Sequence, residues 1–168
     1  MRPRRALLKT PARTCFQARY LLHVWRHTGE TDMNRNILLV DADASFVGTL
    51  TAALKAEGFE VTAVPDGAGA VNVVRINKPD LIILDLFYPP ETGPGAGIPW
   101  DGFLIVEWMR RIADLSGTRV IFTTAEDPAQ YEDRASKAGA SGLFQKGSDI
   151  GQLLSAVRGY LGEPAPAA

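Results

Sequence analysis

Cysteine is nearly absent. Cys15 is the only one in 168 residues, so neither a disulfide framework nor a Cys-x-x-Cys metal knuckle is available. Histidine is almost as scarce: His23 and His27 are the only two, both near the start, which removes a histidine triad or a histidine-rich zinc site from the rest of the chain. No apolar run approaches the ~20 residues that a membrane-spanning helix needs, so no membrane insertion is expected. No G-x-G-x-x-G and no P-loop opens a helix, which argues against a nucleotide-binding enzyme. A flavin carrier is equally disfavoured, because Asp-Ala-Asp stands where its phosphate loop would follow the first strand. Finally, the first 29 residues hold no acidic side chain, yet they carry Arg2, Arg4, Arg5, Lys9, Arg13, Arg19 and Arg26.

That last absence divides the chain. The overall charge of −1 conceals a leader of +7 and a remainder, from Glu30 onward, of −8. An acidic body argues against gripping a phosphate backbone, so direct nucleic-acid binding is not expected. The leader reads as a targeting segment, a disordered arm for an acidic partner, or sequence upstream of the true start. The last is favoured, since Met33 immediately precedes Asn-Arg-Asn-Ile-Leu-Leu-Val.

What is present is a regular alternation of strands and helices. Ile37–Val40 is an apolar strand ending at Asp41, and Ser45 can cap a helix to about Glu57, stopped by Gly58. Phe59–Val64 alternates as a second strand, followed by a helix that Asn77-Lys78-Pro79 ends. Leu81–Leu84 is a third strand, Gly102–Leu115 a helix, and Arg119–Thr123 a fourth strand. A helix from Asp127 or Pro128 to Lys137, a strand over Ser141–Gln145 and a helix over Asp149–Tyr160 complete the series. This predicts an α/β fold with a five-stranded parallel sheet, order 2-1-3-4-5, and helices on both faces in a doubly wound three-layer sandwich.

In such sheets ligands bind beyond the carboxyl ends of the strands, at the switch between the first and third. Asp41 and Asp43 follow the first strand and Asp85 ends the third. Asp85 could merely begin the next loop, but two carboxylates at adjacent strand ends crowd like charges unless a cation or proton relieves them. Hard oxygen ligands suit Mg²⁺. Thr123 and Thr124 end the fourth strand and offer a hydroxyl, and Lys146 ends the fifth with a mobile positive charge. Together they outline a site where an aspartate accepts a phosphoryl group as an acyl phosphate.

Ile37-Leu-Leu-Val-Asp41, Pro79-Asp-Leu-Ile-Ile-Leu-Asp85, Asp101-Gly102, Val120-Ile-Phe-Thr-Thr124-Ala-Glu, Ala138-Gly-Ala-Ser-Gly142 and Lys146 occur in the order and spacing of a known family. From Ile37 to about Leu161 the chain resembles the receiver domain of two-component response regulators. The resemblance implies that Asp85 is the phospho-acceptor, Thr124 the switch hydroxyl and Lys146 the conserved-type lysine. It places Asp41, Asp85 and the backbone carbonyl of Phe87 at an Mg²⁺ site, with the face of the fourth helix, fifth strand and fifth helix as the output surface. The expected organisation is a basic leader over 1–33, a receiver domain over 34–162 and a flexible tail over 163–168.

Several positions depart from the family pattern. Ala42 stands where a second acidic residue is usual, so Asp43 either substitutes as a metal ligand or caps the next helix. Gly147 follows Lys146 where proline is usual, which predicts a trans and looser loop. Leu143 replaces the aromatic switch residue, with Phe144 beside it. Residues 89–100 form an insertion with four Pro and three Gly, which reads as a surface loop or as a flap anchored by Ile98 and Trp100. Phe87 either shields an acyl phosphate or belongs to the core.

The expected function is a stand-alone, cytoplasmic response regulator receiver, not an enzyme. It would be phosphorylated by a sensor histidine kinase or phosphotransfer protein and would signal by protein contacts. The alternative is a degenerate receiver that acts as an interaction module without phosphate.

Overall fold

The computed structural model describes residues 35–88 and 101–162. The leader, the insertion with Ile98 and Trp100, and the tail lie outside the described residues. The elements in order are β1 (Asn36–Val40), α1 (Ala44–Ala56), β2 (Glu60–Val64), α2 (Gly67–Ile76), β3 (Leu81–Asp85), α3 (Gly102–Ile112), β4 (Arg119–Thr124), α4 (Glu132–Lys137), β5 (Gly142–Gln145) and α5 (Ile150–Leu161). A single 3₁₀ turn, Pro128–Gln130, precedes α4. The five strands are parallel and ordered β2-β1-β3-β4-β5, as the alternation predicts.

Alternation of side chains across each strand builds two cores. Ile37, Leu39, Ile83 and Ile121 pack with Leu50 and Leu54 of α1 and with Leu153, Val157 and Leu161 of α5. Leu38, Val40, Ile82, Leu84 and Phe122 pack on the other face with α2, α3 and Ala135 of α4. The three central strands carry near-continuous apolar runs because both of their faces are covered.

Three local expectations change. Ser45 is not the cap of α1. Asp43 is, its Oδ1 accepting from the amides of Ser45 at 2.9 Å and Phe46 at 3.2 Å, which leaves Ser45 inside the first turn. The third helix ends at Ile112 instead of Leu115, because Ala113 turns extended (φ −137°) and Asp114 accepts from the Ser116 amide in a tight turn. Leu115 nevertheless reaches the core, which is why its apolar character reads as helix in the sequence. The fourth helix is broken at Tyr131, where φ is −118°, into the 3₁₀ turn and a six-residue α4.

Candidate functional site

The site begins with the ends of β1 and β3. Leu81–Leu84 are fully buried, and Asp85 follows them at 7% exposure; Asp41 follows Val40 at 3%. By strand alternation both carboxylates project on the α1/α5 face, the side of Leu39 and Ile83. Burying two such groups together is costly without a counter-charge. Lys146 supplies it. Its backbone amide donates to Thr124 O at 2.7 Å just beyond β5, and its Nζ stands 2.7 Å from Asp41 Oδ2 and 2.7 Å from Asp85 Oδ2. The contact with Asp85 is an aligned hydrogen bond. The contact with Asp41 is an ion pair off the hydrogen-bond axis, so Asp41 Oδ2 is buried without an aligned donor.

The protonation states follow from this trio. Burial pushes the Asp85 carboxyl above its ordinary value, aided by the charge of Asp41, and the pairing with Lys146 only partly offsets it. Burial also opposes charge on Lys146, but its two carboxylate partners prevail and hold the ammonium above its ordinary value. The lysine is therefore firmly cationic, and Asp85 carries its negative charge at a cost.

The loops are shaped to permit this approach. Asp101 caps α3 through Leu104 N, and Gly102 follows against the Asp85 main chain. Gly147 sits at φ +82°, a conformation closed to proline, whose ring fixes φ near −65°. That accounts for the missing Lys-Pro pair, and no cis peptide bond occurs among the described residues. The β5–α5 loop and α1 flank a 360 Å³ cleft that includes Phe46, Thr123, Phe144 and Lys146.

The remaining candidates divide. Asp43 donates its amide to Asp41 Oδ1 at 2.9 Å while its own Oδ1 caps α1, so its carboxylate serves the helix. Thr124 is fully buried and its hydroxyl accepts from the Glu126 amide at 3.0 Å. Thr123, not Thr124, is the cross-strand partner of Asp85, and its buried Oγ1 has no hydrogen-bond partner. Phe87 is not core: it is 41% exposed and meets the Tyr131 ring edge-on at 5.3 Å. Leu143 packs on the α2/α3/α4 core, whereas Phe144 packs on the opposite one.

One residue of the site escapes sequence reasoning. Tyr88 donates its hydroxyl to Val40 O at 3.0 Å, tying the loop after Asp85 to the end of β1. Burial, followed by the charges of Asp85 and Asp41, raises its pKa far enough to keep it a neutral phenol. The only signal in the sequence is a tyrosine four residues past the apolar run that ends at Leu84.

Two carboxylates fit Mg²⁺, which takes one or two together with waters. The excess of two buried carboxylates over the single Lys146 ammonium is the observation that favours a cation there. Among the described residues no group of three or more His, Cys, Asp or Glu side chains converges on one point, so a dedicated metal cage is absent from them. No helix among them is long and apolar enough to cross a membrane.

Comparison with known proteins agrees with this fold. The family model of the response regulator receiver domain matches residues 37–158. The DNA-binding response regulator MtrA of Mycobacterium tuberculosis is 30% identical over 129 residues, covering 77% of this chain and 51% of that protein. The chain spans about half the length of the curated relatives it matches. The non-phosphorylated HemR receiver domain of Leptospira biflexa superposes with a TM-score of 0.63 at 26% identity, covering 79% of this chain and 98% of that one. The chemotaxis protein CheY4 of Vibrio cholerae, at 24% identity and a TM-score of 0.64 over 75% of this chain and 98% of that one, shares the fold.

Proposed function

The chain belongs to the response regulator receiver domain family, and from that premise we propose that Asp85 accepts a phosphoryl group from a histidine kinase or phosphotransfer protein. An Asp85 oxygen attacks phosphorus as the bond from phosphorus to the donor's imidazole nitrogen breaks. The imidazole leaves and an acyl phosphate remains on Asp85. The observation that carries this reading is the Lys146 ammonium, 2.7 Å from Asp85 Oδ2, already placed where charge on the transferred group would develop. Thr124 stands as the proposed switch hydroxyl, one residue beyond the cross-strand partner of Asp85.

Asp41, Asp85 and the Phe87 carbonyl are the groups that would hold Mg²⁺. Bound there, such an ion would supply positive charge to offset the negative charge on the phosphoryl oxygens. Ala42 provides no ligand, and Asp43 is engaged as a helix cap. Metal binding is therefore weaker than with a full acidic pair.

The proposed output is a protein contact on the α4–β5–α5 face, made in the cytoplasm and without direct nucleic-acid binding by the receiver domain itself. The net charge of −8 from Glu30 onward supports that last point. A second reading, a phosphate-independent interaction module, is favoured by one observation: both buried carboxylates already share Lys146 as a counter-charge.

Incubation with acetyl phosphate and Mg²⁺ followed by intact mass measurement separates the two. One added phosphate, absent from Asp85→Ala, is the expected outcome. No adduct under conditions that label an ordinary receiver would establish the second reading.

A further inference from the structure

β5 carries Leu143 where Thr124 would otherwise meet an aromatic partner, yet the loop after Asp85 is tied to α4 by a different set of contacts. Phe87, two residues past Asp85, meets Tyr131 edge-on with ring centroids 5.3 Å apart and planes at 66°. Tyr131 is the residue that begins α4, and it does so without a side-chain capping bond. Its hydroxyl donates to Glu126 Oε2, and the Glu126 amide donates to the Thr124 hydroxyl. On the other side, Phe87 forms an antiparallel bridge with Asp101. Asp101 Oδ2 takes Arg134 at 2.7 Å, and the Arg134 guanidinium lies 4.3 Å from the centre of the Phe103 ring.

The loop after Asp85 thus holds α4 at two points, residues 131 and 134. A helix of six residues forms too few internal hydrogen bonds to stand alone, so its position follows its tertiary contacts. Phe87 is suited to transmit a displacement. It stands two residues past Asp85 on the same stretch of backbone, while its ring is 41% exposed and not locked in either core.

We propose that Phe87 and Tyr131, with the Asp101–Arg134 pair beside them, carry the state of Asp85 to α4 in place of a threonine–aromatic couple on β5. The inference rests on the receiver reading for its biological meaning. A change in charge or bulk at Asp85 shifts the backbone that leads from it through Leu86 to Phe87, which is held on its other side by the Gly102 and Asp101 contacts. The Phe87 ring then moves against Tyr131, and α4 shifts with it.

A cycle of variants in the full chain tests this without phosphate. Asp85→Asn removes one charge at nearly constant shape, and backbone amide chemical shifts of Ala135 and Ala138 report on α4. The shift changes caused by Asp85→Asn are expected to shrink at least about threefold when Tyr131→Leu is also present, the signature of coupling through a shared contact. Tyr131→Phe keeps the ring and is expected to retain most of the response. Equal responses with and without Tyr131→Leu would overturn the proposal, as would loss of the response in Tyr131→Phe alone. Since no phosphoryl group enters the cycle, failure of the relay and failure of phosphoryl acceptance are read separately.

Discussion

Gly102 lies against the main chain of Asp85: a Cβ on Gly102 would stand 2.5 Å from the Asp85 carbonyl oxygen and 3.2 Å from Leu86 Cα. The Gly102 amide also donates to Leu86 O at 3.0 Å, so the head of α3 is seated on the strand end that bears the acceptor. Backbone atoms cannot swing aside as a flexible side chain can. Gly102→Ala is therefore expected to cost roughly 1–3 kcal/mol of stability through overpacking, read by urea unfolding. Phosphoryl uptake should fall with it, because the displaced backbone is that of Asp85 itself.

Asp43 should behave as a cap and not as a metal ligand. Asp43→Ala is expected to destabilise by about 1 kcal/mol, and Asp43→Ser to recover most of that loss, since serine accepts the same amides. Calorimetric titration of Mg²⁺ should give the same affinity for Asp43→Ala as for the parent. A clear loss of affinity in Asp43→Ala alone would return Asp43 to the metal site.

The buried trio predicts two losses of stability with rising pH, in separate windows. Asp85 has a raised pKa, so ionising it costs stability on folding. That cost is absent in acid below its usual 3.8 and grows as pH rises through the elevated folded value. Asp85→Asn should then raise stability near neutrality, by roughly 1 kcal/mol, the scale seen when a functional site is relaxed. Its advantage should vanish toward low pH. Lys146, also raised, contributes fully below its usual 10.5 and loses that contribution as pH climbs through its higher folded value. Lys146→Met should cost about 3 kcal/mol by leaving two buried carboxylates unpaired. Urea melts across the pH range check both windows.

Thr123 has a buried hydroxyl with nothing to bond. Replacing it by an apolar group of the same shape removes a desolvation cost and leaves the packing intact. Thr123→Val is expected to stabilise by roughly 1 kcal/mol in the same unfolding measurement. Thr123→Ser, which keeps the hydroxyl and loses a methyl, should instead destabilise.

Much of the architecture was legible in the order of residues. Runs such as Leu81–Leu84 can only be strands covered on both faces, and their alternation with amphipathic helices leaves few sheet orders open. The convergence of Asp41, Asp85 and Lys146 follows from that order, because side chains at the carboxyl ends of neighbouring parallel strands must share one crevice. Less was legible where a residue has two plausible partners. Asp43 can cap or coordinate, and only the path of the β1–α1 turn chooses the cap. Thr123 and Thr124 are interchangeable in composition, and only strand register decides that Thr123 stands opposite Asp85.

Local pattern alone determined which segments are strands or helices, though not where each helix ends, and the identity of the acidic and basic groups at the sheet edge, since each of these depends on neighbours a few positions away. Tertiary structure decided that one ammonium serves both carboxylates, that Tyr88 ties its loop to β1, and that Phe87 reaches Tyr131 instead of the core. Those contacts join residues tens of positions apart through loops whose course depends on the whole assembled sheet, and no short window of sequence contains that information.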